Sequence, residues 1–143
     1  MAFDIDNVAC FVLDACALIA YFNDEIGAEV VEALLDQASR NEIHLYVAAV
    51  NVYELFYDCL RRDASVAQQL LDDVYSLPLT VVEQLNPSLM RSAGEFKRSY
   101  RVSLADSMAL GLAQQLDACL VSSDHHEFDS IDRDNKLKFR WIR

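Results

Sequence analysis

Residues 8–22, VACFVLDACALIAYF, form an apolar run interrupted by one charged side chain, Asp14. The first half, residues 8–13, is short, β-branched and aromatic, as a strand buried on both faces should be. Folding alone would favour Val or Ala where Asp14 stands, because desolvating an isolated carboxylate is strongly unfavourable. Two explanations are open. Asp14 caps a helix that opens at Ala15, or it shares a divalent cation with other acids.

Reading outward, residues 26–39 carry Val30, Val31, Leu34, Leu35 and Ala38 at helical spacing. Residues 43–47 read as a second strand, followed by helices over 48–62 and 64–75 before Pro78 stops the run. A third strand is expected at 79–82, helices at 87–100 and 103–116, a fourth strand at 118–122 and a fifth at 137–142. Strands separated by helices predict an α/β fold with a mostly parallel five-stranded sheet covered on both faces, since parallel neighbours need crossover connections. In such sheets ligands bind beyond the carboxyl ends of the strands. Asp14 follows the first strand and Asp124 the fourth, which assigns both to that rim.

The chain has 143 residues, 53% apolar and 24% charged, with no low-complexity stretch. One domain spanning 1–143 is expected, large enough to bury roughly 70% of its unfolded surface. No apolar run approaches the ~20 residues of a membrane helix. The N-terminus, MAFDIDN, carries acids where an export signal would carry bases. A cytoplasmic protein is expected. Cys10, Cys16, Cys59 and Cys119 lie in apolar segments without CxxC spacing, which suits buried thiols rather than zinc ligands or disulfides. The net charge of −11 argues against binding nucleic acid mainly through phosphates. It is compatible with a solvated surface or with a site that attracts cations, either metals or a basic peptide.

Three more acids sit in apolar surroundings: Glu54 in AAVNVYELF, Asp106 in VSLADSMALGLA, and Asp124 after ACLVSS. Each has a structural reading beside the chemical one. Asn51 with Glu54, and Ser103 with Asp106, have capping-box spacing, and Asp124 fits an ordinary turn. Taken jointly, the four exceed what caps usually require. Oxygen ligands around an open site suit Mg²⁺ or Mn²⁺, whereas zinc would favour His or Cys. His125 and His126 are adjacent in what reads as a polar loop, unsuited to joint ligation but near enough to Asp124 for a substrate contact. With three glycines and no phosphate-cradling loop, nucleotide-binding folds find no support.

At VLDACALIAYF, AVNVYELF, LADSMALGLAQ and CLVSSDHHEF, taken in this order, the sequence resembles the PIN domain family of metal-dependent ribonucleases, particularly the toxin subunits of type II toxin–antitoxin pairs. The resemblance covers nearly the whole chain and implies a three-layer α/β/α fold. It assigns Asp14, Glu54, Asp106 and Asp124 to the family's acidic quartet holding Mg²⁺ or Mn²⁺, with Glu127 as a peripheral ligand and Ser103 as a hydroxyl near the substrate. Ala15 and Cys16 depart from a hydroxyl position common in relatives. The implied activity is RNA phosphodiester hydrolysis by one or two ions, leaving a 5′-phosphate. Implied partners are the RNA substrate, a cognate antitoxin with a basic tail, and a second copy of the chain. Val52, Leu55 and Phe56 are candidate interface residues, although core packing accounts for them equally well.

Substrate contact is expected from FKRSYR, where Lys97, Arg98 and Arg101 interleave with Phe96 and Tyr100. Arg61 with Arg62, and Lys136, Lys138 and Arg140 on an expected edge strand, are weaker candidates. The rival function is a catalytically silent domain whose acidic pocket binds a basic peptide or protein.

Overall fold

The computed structural model describes residues 8–143. The acids of MAFDIDN, on which the export reading rests, lie outside them. Elements follow in the order β1 (Cys10–Leu13), α1 (Ala15–Phe22), α2 (Ala28–Ser39), β2 (His44–Ala48), α3 (Ala49–Arg62), α4 (Ala64–Ser76) and β3 (Thr80–Val82). The second half runs α5 (Pro87–Ser99), α6 (Leu104–Gln115), β4 (Cys119–Ser122), α7 (His125–Arg133) and β5 (Phe139–Trp141). All strand pairings are parallel, in the order β3-β2-β1-β4-β5.

That order fixes where a site can lie. The chain builds outward from β1 through β2 to β3, returns across the sheet, and continues from β4 to β5. The crossovers diverge between β1 and β4, which leaves a crevice at their carboxyl ends. Those ends are Leu13 and Ser122, so the residues at the crevice are Asp14 and the Ser123–Asp124 turn.

Strand alternation separates two cores. Leu13, Val47 and Val121 face a cluster with Ala17, Leu18, Val31, Val52, Leu55 and Val74 from α1 to α4. Val12 and Leu120 face a cluster with Leu89, Phe96, Ala109, Leu110, Phe128 and Ile131 from α5 to α7. The result is the three-layer α/β/α arrangement. Val12, Leu13, Leu120 and Val121 are all fully buried, as a central parallel pair requires.

Helix α5 packs closely on α6 because position 111 has no side chain. A Cβ built on Gly111 would lie 2.6 Å from the backbone N of Ala93. Gly27, the N-cap of α2, has φ of 100° and backs onto Ile142, where a Cβ would sit 2.7 Å from the carbonyl oxygen. Both the left-handed conformation and the close approach call for glycine there.

The structure corrects several sequence expectations. The segment after Asp124, read as a polar loop, is helix α7; only Phe128 and Ile131 are buried in it, so its apolar stripe is two residues wide. Asn51 is not a cap. It lies inside α3, whose N-cap is Ala48, and it is fully buried. Val52 and Leu55 are core residues, and Phe56 is half-buried, so they offer no interface; the exposed apolar residues of α3 are Tyr53, Tyr57 and Leu60. Phe96 is buried and cannot stack on a base. The four cysteines are free, with Cys59 buried and the others half-buried. No described helix is long and apolar enough to cross a membrane.

Candidate active site

Asp14 is the N-cap of α1, its Oδ1 accepting from Ala17 N at 2.8 Å. The capping explanation for its position therefore holds. It does not exhaust the residue, because Asp14 is 1% exposed and its second oxygen, Oδ2, accepts from the hydroxyl of Ser122. Ser122, fully buried at the end of β4, in turn accepts from Asp124 N at 2.9 Å. One hydroxyl thus ties the residue after β1 to the residue that opens α7.

Asp124 caps α7, its Oδ1 accepting from Glu127 N at 3.1 Å. Ser103 caps α6 and accepts from Asp106 N at 3.0 Å, which realises the cap expected there. Glu54 lies one turn into α3, half-buried, and accepts from Asn51 Nδ2 at 3.1 Å. The same amide donates at 3.3 Å to Ala105 O, the carbonyl adjoining Asp106. Asn51 therefore bridges α3 to the first turn of α6, next to Asp106.

Two links result: Asp14 is tied through Ser122 to the backbone of Asp124, and Glu54 through Asn51 to the Ala105 carbonyl that precedes Asp106. Their electrostatics join them. Burial pushes the Asp14 carboxyl up to about 7 against the donors Ser122 and Ala17, and the charges of Asp106 and Asp124 add to the rise. Asp106 is pushed up to about 6, mainly by burial and further by Glu54, Asp124 and Glu127, with Ser103 opposing. Burial also raises Glu54 against Asn51. Cys16, beside Asp14, is driven to about 12 by burial and by all four acids, so its thiol is inert as a nucleophile.

Asp14 is buried, and Glu54, Asp106 and Asp124 are half-buried. The surface hollow lined by Glu95, Phe96, Tyr100 and Lys136 includes none of them. Among the described residues, no three or more His, Cys, Asp or Glu side chains are already grouped as a metal-holding set. The donor chemistry nevertheless fits a hard divalent cation: carboxylate oxygens from four elements, two of them raised above the usual carboxylate range by burial and by the neighbouring acids. Two buried oxygens nearby, Asn51 Oδ1 and Glu127 Oε2, have no hydrogen-bond partner among the described residues.

The basic candidates fare differently. Lys97 Nζ donates to Val102 O at 3.0 Å, and Arg98 pairs with Glu95. Arg61 and Arg62 both pair with Asp58. Tyr100 donates to Asp134 at 2.7 Å. Arg101 is exposed just before Ser103; Arg140 is exposed on edge strand β5, whereas Lys136 and Lys138 are exposed in the connection before it and not on the strand. Asn51 and Ser122 were missed as site residues. Their signal was a polar side chain inside an apolar segment, the same signal that singled out the acids.

Residues 11–134 match the PIN domain family model. No curated protein matches the sequence. Among solved structures, the fold is similar to VapBC2 from Rickettsia felis bound to a promoter DNA fragment, with TM-score 0.73 and 15% identity over 92% of this chain and 98% of that one. DNA-bound VapBC from Salmonella typhimurium gives TM-score 0.72 and 16% identity over 94% and 99%. PAE2754 from Pyrobaculum aerophilum gives 0.61 and 19% over 96% and 92%. At these identities the likeness is one of fold.

Proposed function

The chain belongs to the PIN domain family, and on that premise we propose that it is a divalent-metal-dependent ribonuclease that hydrolyses RNA phosphodiester bonds as the toxin of a toxin–antitoxin pair. The observation that carries this reading is the pair of carboxyls Asp14 and Asp106, one at the end of β1 and one in the first turn of α6, both raised mainly by burial and further by the charge of Asp124. In this proposal Asp14, Glu54, Asp106 and Asp124 hold Mg²⁺ or Mn²⁺, with Glu127 at the periphery. The ion would supply the positive charge that activates water and offsets charge building on the phosphate.

The remaining work falls to the chain. Ser122 and Asn51 orient Asp14 and Glu54 through the hydrogen bonds above. Ser103, whose oxygen accepts from Asp106 N, keeps its hydroxyl proton to donate to a substrate oxygen. Arg101 is the basic side chain best placed for a flanking phosphate, because Lys97 and Arg98 are engaged locally and contribute charge at longer range. A single domain spanning the chain belongs to the same reading.

The proposed partners are single-stranded RNA, a cognate antitoxin whose basic tail enters the acidic crevice, and a second copy of the chain. The VapBC likenesses support the antitoxin. Exposed Tyr53, Tyr57 and Leu60 on α3 supply apolar surface for a homodimer. The all-acid crevice equally suits a silent domain that only binds a basic peptide. Cleavage of a single-stranded RNA with Mg²⁺, Mn²⁺ or EDTA, by wild type and by Asp14→Asn and Asp106→Asn variants, separates the two. Metal-dependent cutting lost in both variants supports the nuclease; equal background in every sample supports the binder. A fully active Asp106→Asn enzyme refutes the assignment.

A further inference from the structure

We propose that the stacked rings of His125, Trp141 and Phe139 form a nucleobase platform beside the acidic crevice, seating one base of single-stranded RNA near the bond that is cut. The proposal rests on the ribonuclease reading above. His125 directly follows Asp124, so a trans peptide holds their Cα atoms ~3.8 Å apart. Its ring lies on Trp141 with centroids 3.8 Å apart and planes within 18°. Trp141 continues the stack onto Phe139 at 5.0 Å and 8°.

The outer ring is held in place on every side but one. His125 Nδ1 is 2.7 Å from Asp129 Oδ1, and Nε2 is 2.9 Å from Arg143 O. Trp141 Nε1 donates to Asp132 Oδ2 at 3.1 Å, which keeps the middle ring from turning away. The His125 side chain is nonetheless 47% exposed. With one face on Trp141 and both nitrogens engaged, the remaining exposure is assigned to the opposite face. A planar face so fixed loses little freedom when a base stacks on it.

The charge of the molecule gives this platform a purpose. A chain of net charge −11 gains little affinity from phosphates, so stacking becomes a main source of hold on RNA. It would also be tolerant of base identity, since every base has a π face.

The test uses the full chain with Mn²⁺ and short single-stranded RNAs. His125→Ala should raise KM about tenfold with kcat nearly unchanged, and His125→Phe, which restores a plane without the nitrogens, should recover most of it. An abasic nucleotide walked along the RNA should raise KM for wild type at one position and have no effect there for His125→Ala. Emission from Trp141, the single tryptophan of the chain, should change on RNA binding in wild type.

An unchanged KM in His125→Ala overturns the platform while leaving the ribonuclease intact. So does a loss of kcat and of melting temperature that Phe does not rescue, which is the mark of a structural role. A His125→Ala variant that cuts RNA normally but no longer binds a Lys/Arg-rich peptide would assign the ring to a protein partner and refute the proposal. Wild type that cuts no RNA with either metal removes both readings together.

Discussion

Ser122 makes two hydrogen bonds with one hydroxyl, accepting from Asp124 N and donating to Asp14, and is fully buried. Removing it leaves the buried Asp14 Oδ2 without its donor. Ser122→Ala should therefore lower stability by about 1–3 kcal/mol, read from urea unfolding. It should also weaken Mn²⁺ binding roughly 10- to 100-fold, read by calorimetry, because the carboxylate loses the group that orients it. Asn51 is the parallel case on α3, and Asn51→Ala is expected to loosen Glu54 while Asp14 keeps its geometry. Neither role was legible in the chain. A Ser at a strand end and an Asn near a helix start have common local uses, and the partners that give these two their role are 108 and 54 residues away.

At the scale of elements, Asp124 does two things that a substitution can separate. It caps α7 and it is a proposed ligand. Asn caps a helix about as well as Asp, whereas Ala costs about 1 kcal/mol. Asp124→Asn should unfold at nearly the wild-type urea concentration yet lose RNA cleavage, and Asp124→Ala should lose both. Equal cleavage by wild type and Asp124→Asn would reduce the residue to a cap. The α5–α6 contact is tested by Gly111→Ala, whose added methyl meets the Ala93 backbone at under 3 Å. The expected destabilisation is about 1–3 kcal/mol by thermal melting, with the spacing of the acids unaffected. Of the elements themselves, the sheet strands and α2 to α6 were readable from periodicity. Helix α7 was not, because its apolar stripe is two residues wide and the run after Ser123 is otherwise polar.

Across the whole molecule, the raised acids make stability depend on pH. Asp14 is raised from 3.8 to about 7 and Asp106 from 3.8 to about 6, so between pH 4 and 7 the folded chain binds protons that the unfolded chain has released. Stability must then fall as pH rises through that window and stay low above it. For Asp14 the difference corresponds to at most ~4 kcal/mol. Chemical unfolding in EDTA should give a higher midpoint at pH 5 than at pH 8. Asp14→Asn should flatten that dependence and be the more stable protein at pH 8, because it removes a buried charge from a repulsive cluster. Adding Mn²⁺ should raise the wild-type midpoint more at pH 8 than at pH 5 and raise that of Asp14→Asn less. A midpoint that rises from pH 5 to pH 8 in EDTA would contradict the proposed electrostatics.

The order of the strands and of helices α2 to α6, the two-sided burial of β1, and the positions of Asp14 and Asp124 just past strand ends were determined by the sequence alone. Each depends on neighbours within a few residues: apolar periodicity, Pro78 and Pro87 as breaks, and a charge placed where apolar surroundings penalise it. Only the tertiary structure decided how the acids are paired, that Ser122 and Asn51 bridge them, that Phe96, Val52 and Leu55 belong to the cores, and that His125 stacks on a ring from the last strand. Those relations are made by the return of the chain across the sheet between β3 and β4. Contacts made that way leave no periodic trace in the segments that make them.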